Sequence, residues 1–261
     1  MNRTWKLSGF EFYILWRDAT GERLPWPFFY TNRMPTEVEF ERLRSEARAR
    51  LRNTLDPDFG HVMAALTEPD LWIAVNGWDD RNPEGPQGLV RLFAARRDDR
   101  GYLVTQWTGE TYYDAAGFTI VEGDAVALAD AVAAALPEER PGRLPDVMLP
   151  ERDGSAELDY SVGLSTVHDS FDETVAERAG HFLDAVAACT GSIDIVQGRS
   201  VFGPRGLTRH RLHWRDLVDD GRYLIDDQHP PVATSADRRR TTALINARVA
   251  EVVRAIKDER R

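Results

Sequence analysis

Apolar residues recur every three to four positions in the first third of the chain, then every second position or in short unbroken runs from residue 71. The first period predicts helices and the second strands. Ser8-Gly9-Phe10-Glu11 has the Ser-x-x-Glu form of a capping box. Phe12, Leu15, Trp16 and Ala19 fall on one face of the helix it would open, which Gly21 can end. PWPFFY (25–30) reads as a short strand whose prolines suit an edge. A second helix starts at Pro35, with Thr36 and Glu39 as another box and Phe40, Leu43, Ala47 and Leu51 as its buried stripe. Asp56-Pro57 opens a third, burying Phe59, Val62, Met63 and Leu66.

Four β-rich runs follow, at 71–78, 88–97, 101–109 and 117–123, each bounded by turn residues. Asp98-Asp99-Arg100-Gly101 is a tight hairpin connection, so that pair of strands is antiparallel. Asp124 can cap a helix carrying Val126, Leu128, Val132 and Leu136, and a proline-rich connector runs over 137–155. The order then recurs. Ser170 and Glu173 form a further possible box, with Val175, Ala179, Phe182 and Val186 at helical spacing. Strands follow at 192–199, 209–218 and 222–228, and a last helix carries Ile245, Val249, Val252 and Ile256 behind a solvated basic turn, Arg238-Arg239-Arg240. Two halves, about 1–136 and 156–261, predict one α+β domain spanning 1–261. The expected architecture is a quasi-two-fold duplicated fold, a central antiparallel β-sheet flanked by helices and helical bundles.

Composition narrows the function. Apolar residues make up 42% of the 261 and charged residues 29%, a soluble globular balance. The net charge of −10 argues against nucleic acid, because RGLTRHRLHWR, the nearest basic stretch, alternates with apolar residues like a strand and runs straight into acids. No run is long enough for a membrane span, and the N-terminal residues carry no apolar signal core, so a cytoplasmic protein is expected. The single cysteine, Cys189, excludes an intramolecular disulfide and reads as a buried inert thiol near a helix end.

RHRLHWRDLVDDGRYLIDDQ (209–228) concentrates histidine and aspartate as a metal-dependent hydrolase would. On a strand, however, residues three apart point to opposite faces, so His210 and His213 cannot share a metal, nor can His213 and Asp216. Asp219-Asp220-Gly221 has the chemistry of a hairpin turn, and Asp226-Asp227 reads as an exposed strand end. No phosphate loop, dinucleotide fingerprint, nucleophile elbow or His-Glu-x-x-His motif occurs. His61, His168, His181 and His229 are isolated, and His181 reads as a boundary histidine. No catalytic set, metal site or cofactor is expected. NGWDDRNPEGPQG (76–88) is different, being far longer than a meander needs and carrying Trp78 among acids and prolines. It reads as a surface connector or as a projecting arm that grips a partner.

Three blocks resemble the EspG family, the cytosolic chaperones of type VII (ESX) secretion. LSGFEFYILWRDATGERLPWPFFY is similar to its opening helix, break and Pro-aromatic strand, GLVRLFAARRDDRGYLVTQW to its sheet hairpin, and LVDDGRYLIDD to its Asp-x-Gly-Arg-Tyr signature. The resemblance implies a quasi-two-fold α+β fold and no catalysis. It also implies a partner: the helical tip of a PE–PPE-like heterodimer, or another helical-hairpin ESX substrate, kept soluble for export. The family's long inter-strand loop falls on Trp78 to Gln87, and within it Trp78, Asp79, Asp80, Arg81, Asn82, Pro83 and Glu84 are the expected partner-binding residues. Phe202 and Arg205, in the corresponding connection of the second half, are expected to add contacts. The competing readings are an immunity protein for a secreted toxin and a hydrolase built on the aspartate-rich hairpin.

Overall fold

The Ser8 box forms. In the computed structural model, which describes residues 3–150, 174–226 and 229–260, the Ser8 side chain accepts from the Glu11 backbone N–H while the Glu11 carboxylate accepts from that of Ser8. Helix α1 (Gly9–Thr20) therefore begins as the spacing demands, and Gly21 ends it in the left-handed region at φ 73°. The residues just before it, Thr4–Ser8, are a strand, β1, which the periodicity did not reveal. α2 (Glu37–Thr54) is capped by Thr36, and α3 (Phe59–Thr67) buries Phe59, Val62, Met63 and Leu66 as expected. In α2 the stripe is Phe40, Ala47 and Leu51, with Leu43 half-buried. No strand forms at 25–30, where two prolines remove ladder donors. That segment is irregular chain that inserts Phe28 against Phe12 and Phe118.

The expected meander is present as β2 (Leu71–Trp78), β3 (Val90–Arg97), β4 (Arg100–Thr108) and β5 (Ala115–Asp124). A single 3-10 turn leads into α4 (Leu128–Ala135), so Val126 points outward, and Leu136 packs in just past the helix end. The connector is not merely a connector, because it contributes a two-residue edge strand, β6 (Val147–Met148). The box proposed at Ser170 and Glu173 lies outside the described residues. Thr174 and Glu177 form one at the start of α5 (Val175–Asp184), whose buried residues are Ala179 and Phe182. Val175 and Val186 are exposed, because the first helical turn lies off the sheet and the helix stops at Asp184. β7 (Ala187–Gln197) starts well before residue 192, which places Cys189 within a strand rather than at a helix end. β8 (Arg209–Leu217), β9 (Gly221–Asp226), β10 (Val232–Ser235) and α6 (Arg238–Glu259) complete the described chain.

All these strands join one antiparallel sheet in the order β1-β5-β4-β3-β2-β7-β8-β9-β10-β6. Outward from the centre the order is 2-3-4-5-1 in one half and 7-8-9-10-6 in the other. Each strand thus has a counterpart five strands later, and the first strand of each half closes its outer edge. β2 and β7 run antiparallel, so the axis relating the halves stands perpendicular to the sheet between them. Gly77 and Gly191 oppose each other there, and both are bare for a reason. A Cβ on Gly77 would come within 2.6 Å of the buried Trp214 ring, and one on Gly191 within 2.3 Å.

The two faces are covered differently. On one, α4 and α6 lie over the centre, and Val132, Ile245 and Val252 pack on Ile73, Val75, Ile193 and Trp214. On the other, α1, α2 and α3 cover the first half through Phe12, Trp16, Leu51 and Leu66. α5 covers only the outer part of the second half, where Phe182 meets Leu217 and Tyr223. Each such buried large apolar side chain contributes about 2 kcal/mol.

Candidate functional site

The aspartate-rich hairpin resolves into a clasp. Asp216 on β8 and Arg222 on β9 are cross-strand partners, and the guanidinium donates to both carboxylate oxygens at 2.7 Å with both side chains buried. Burial pushes the Asp216 carboxyl up, and the Arg222 hydrogen bonds pull against it. At the turn, Asp219 takes φ 63° and Asp220 accepts from the Tyr223 hydroxyl at 2.6 Å and the Arg143 backbone at 2.8 Å. Burial alone would raise Asp220, but the Tyr223 and Arg143 hydrogen bonds outweigh it and hold the carboxyl below its usual value. Tyr223, buried and bonded to Asp220, is pushed up to about 12. The Leu144 backbone donates to that same hydroxyl at 2.7 Å, and Arg140 donates to the Asp219 and Asp220 carbonyls. Gly221 is needed beneath this crossing, since a Cβ there would lie 2.6 Å from the Arg140 carbonyl oxygen. Asp226 is no exposed strand end, because Arg248 of α6 is bonded to it; Asp227 lies outside the described residues.

His210 and His213 point to opposite faces, His210 reaching Glu251 of α6 at 3.2 Å. Among the described residues no three His, Cys, Asp or Glu side chains converge on a point that could hold a metal. His181 is exposed on α5 rather than at a boundary. Burial raises the Cys189 thiol to about 12, leaving it without nucleophilic character at neutral pH.

The partner-binding candidates divide. Trp78 is the last residue of β2, paired with Thr190 of β7 and half-buried, so it is not the freely exposed anchor a loop position would give. Beyond it the connection folds on itself. Asp79 accepts from the Arg81 backbone at 2.9 Å and holds its guanidinium, and two successive turns bring the Asn82 and Gly85 backbones back to Asp79 and Asn82. Asp80, Arg81, Asn82, Pro83 and Glu84 are exposed. Asp80 reaches 3.7 Å from Arg215 of β8, whose guanidinium also donates to the Phe182, Leu183 and Ala185 carbonyls at the end of α5. Arg215 thereby ties the connection to the second half. Between loop and helix the sheet face carries polar side chains: Thr190, Ser192 and Asp194 of β7, with Arg211 and His213 of β8. Among the described residues no helix covers this strip.

Phe202 and Arg205 are not part of the same place. They follow β7, whose C-terminal end pairs with the start of β2, so they stand at the opposite end of the sheet from residues 79–89. β2 alone separates the two ends by about 25 Å. Phe202 is 76% exposed on a turn whose Ser200 and Val201 are fixed to Glu259 of α6.

An aromatic patch escaped the sequence reading altogether. Trp26, Phe29, Tyr112 and Tyr113 form a chain of rings with centroids 5.0–6.0 Å apart, Trp26 being 49% and Tyr113 59% exposed. Beneath it Arg91, second residue of β3, lies with its guanidinium carbon 4.7 Å from the Phe29 ring centre and 4.3 Å from that of Tyr112. Arg91 is 2% exposed, and its three side-chain nitrogens make no hydrogen bond among the described residues. Opposite it on β2, the buried Asn76 oxygen is likewise unbonded. Burying an ion costs several kcal/mol, and a desolvated cation–π contact returns about 2 kcal/mol. Burial lowers the Arg91 pKa, the nearby Tyr112 phenol opposing the fall.

The described residues form a ten-stranded antiparallel sheet with helices on both faces, an α+β architecture in which no metal-ligating set converges among those residues. The EspG family profile matches residues 8–251, and the chain belongs to that family: it is a type VII secretion chaperone and not an enzyme. Among solved structures it is similar to the Mycobacterium tuberculosis type VII secretion system chaperone EspG5, determined in complex with the PE25–PPE41 dimer. The TM-score is 0.54 and the identity 13%, over 98% of this chain and 96% of that one. Comparison with curated proteins gives no match. Among the described residues no helix is long and apolar enough to cross a membrane.

Proposed function

We propose that the chain is a cytoplasmic chaperone that binds the helical tip of a PE–PPE-like heterodimer, or of another helical-hairpin ESX substrate, keeps it soluble and targets it for export. The observation that carries this reading is the aromatic patch with Trp26 and Tyr113 exposed over the start of β3, next to the self-bonded connection 79–89 that leads into that strand. A helical tip needs an apolar surface to cover its own exposed side chains and a polar rim to fix its orientation. The patch offers the first, and residues Asp79 to Glu84 the second. The membership in the EspG family and the partner of EspG5 point the same way. Phe202 and Arg205 would reach only a partner that extends along the whole strand length.

Co-expression of the chain with each PE–PPE-like or helical-hairpin pair of its source genome tests the reading. The expected result is one pair, insoluble alone, that becomes soluble and co-elutes with the chain in a defined ratio. Failure of every such pair to co-elute, with the chain itself well folded, would refute it.

A further inference from the structure

A guanidinium wholly out of water, with no carboxylate partner, needs an explanation that folding does not supply. Arg91 is in that state among the described residues, while Arg222, the other fully buried arginine, has a bidentate carboxylate. The Phe29 and Tyr112 rings, their centres 5.7 Å apart, both lie against the Arg91 guanidinium, whose nitrogens find no acceptor at hydrogen-bond geometry among the described residues. Arginine edges of this kind match carboxylates in pairs of parallel hydrogen bonds. The cover on one side is Tyr112, carried on the turn between β4 and β5. That turn is pinned by exposed contacts: Arg33 to Glu110 and Asp114, and Thr31 to the Tyr113 carbonyl. A partner seated on Trp26 and Tyr113 would stand directly above it.

We infer that Arg91 is a specificity-determining residue, receiving an aspartate or glutamate side chain from the partner's helical tip once Tyr112 swings off the guanidinium. This rests on the chaperone reading above. The chain carries −10 overall, and its surface repels acidic partners in general. One buried cation behind an aromatic cover would admit an acidic tip at a single place and in a single orientation. Residues that serve a partner in this way are maintained against the stability of the free protein, and that opposition can be measured.

The test uses the full chain and the pair that co-elutes with it. Arg91→Met keeps length and removes charge; Arg91→Lys keeps charge and removes the paired edges. Expected for Arg91→Met are a higher melting temperature, by several degrees, and at least a tenfold weaker Kd for the pair. Arg91→Lys should also weaken binding. Replacing each tip carboxylate of the partner by alanine should weaken binding to the unmodified chain and leave binding to Arg91→Met unchanged at one position. A lower melting temperature for Arg91→Met with unchanged affinity would make Arg91 a packing residue and overturn the inference. So would unchanged affinity with a higher melting temperature, or no partner carboxylate coupled to it. These outcomes leave the chaperone reading intact; if no pair binds the unmodified chain, both fall.

Discussion

Two acid-rich stretches, 79–84 and 216–226, look alike in composition and are opposite in construction. In the second every described aspartate but Asp219 has its carboxylate bound by a residue from another strand, the connector or α6: Asp216 by Arg222, Asp220 by Arg143 and Tyr223, Asp226 by Arg248. In the first, Asp79 is bound by Arg81 two residues on, and only Asp80 reaches outward, at 3.7 Å. Acids bonded to distant elements fasten the fold. Acids bonded within their own turn shape a surface that a partner can meet without disturbing the core.

The largest expected effects break the fastening. Dividing the chain within the connector should leave fragments 1–145 and 146–261 unable to melt cooperatively alone. The cut detaches the residues that clasp the β8–β9 hairpin and exposes the central β2–β7 edges; two soluble, cooperative fragments would refute this. Asp216→Ala leaves Arg222 a buried unpaired charge and should cost about 3–5 kcal/mol in urea unfolding, whereas Asp216→Leu combined with Arg222→Met should cost far less. Tyr223→Phe removes one hydroxyl serving both Asp220 and the Leu144 backbone, at a cost of about 1–3 kcal/mol.

Acid should act through the same hairpin. Asp220 has a folded pKa below its unfolded value, so its contribution is present above the unfolded pKa and is lost as pH falls through the folded one. Asp216, raised by burial, has the reverse sign: its contribution is present at low pH and lost as pH rises through its folded pKa. Melting temperatures between pH 7 and pH 3 should therefore fall less steeply for Asp220→Asn than for the parent chain. A slope unchanged by that substitution would show that Asp220 is not linked to folding.

The smallest effect on stability belongs to the first stretch. Replacing residues 80–85 by a short Gly-Ser turn should change stability by about 0.6 kcal/mol or less, the loss of the half-exposed Asp80–Arg215 pair adding about 0–1 kcal/mol. It should weaken partner binding by about 2 kcal/mol or more. Trp78→Ala is a poorer probe, since Trp78 is half-buried in β2 and its loss also disturbs the sheet. A tip replacement that binds normally would reduce 79–84 to a connector.

What could be read in the sequence follows from how far each feature's cause extends along the chain. The Ser8 box, the α3 stripe and the β2–β5 meander rest on spacings within ten residues or so, and all formed. β1, β6 and β10 are short strands held by their neighbours' ladders, not by a pattern of their own, and periodicity missed them. Residues 25–30 had a strand's apolar content without its backbone donors. Of the candidate site, the length of the β2–β3 connection was legible. The Arg91 cage was not, because Phe29, Arg91 and Tyr112 meet only through the fold. Phe202 and Arg205 were legible as the counterpart connection of the second half, but not their distance from Trp78, because the axis between β2 and β7 sends counterpart loops to opposite ends of the sheet.

That separation points to how such a fold can specialise. A receptor with a two-fold axis through its sheet offers every surface twice, at opposite ends, yet an asymmetric cargo can occupy only one copy. The other copy is released from having to resemble it. Here the two connections differ: one is acidic and folded on itself, the other presents Val201 and Phe202 from a turn anchored on Glu259. A single asymmetric cargo on such a scaffold would leave the second copy of each surface free for another use.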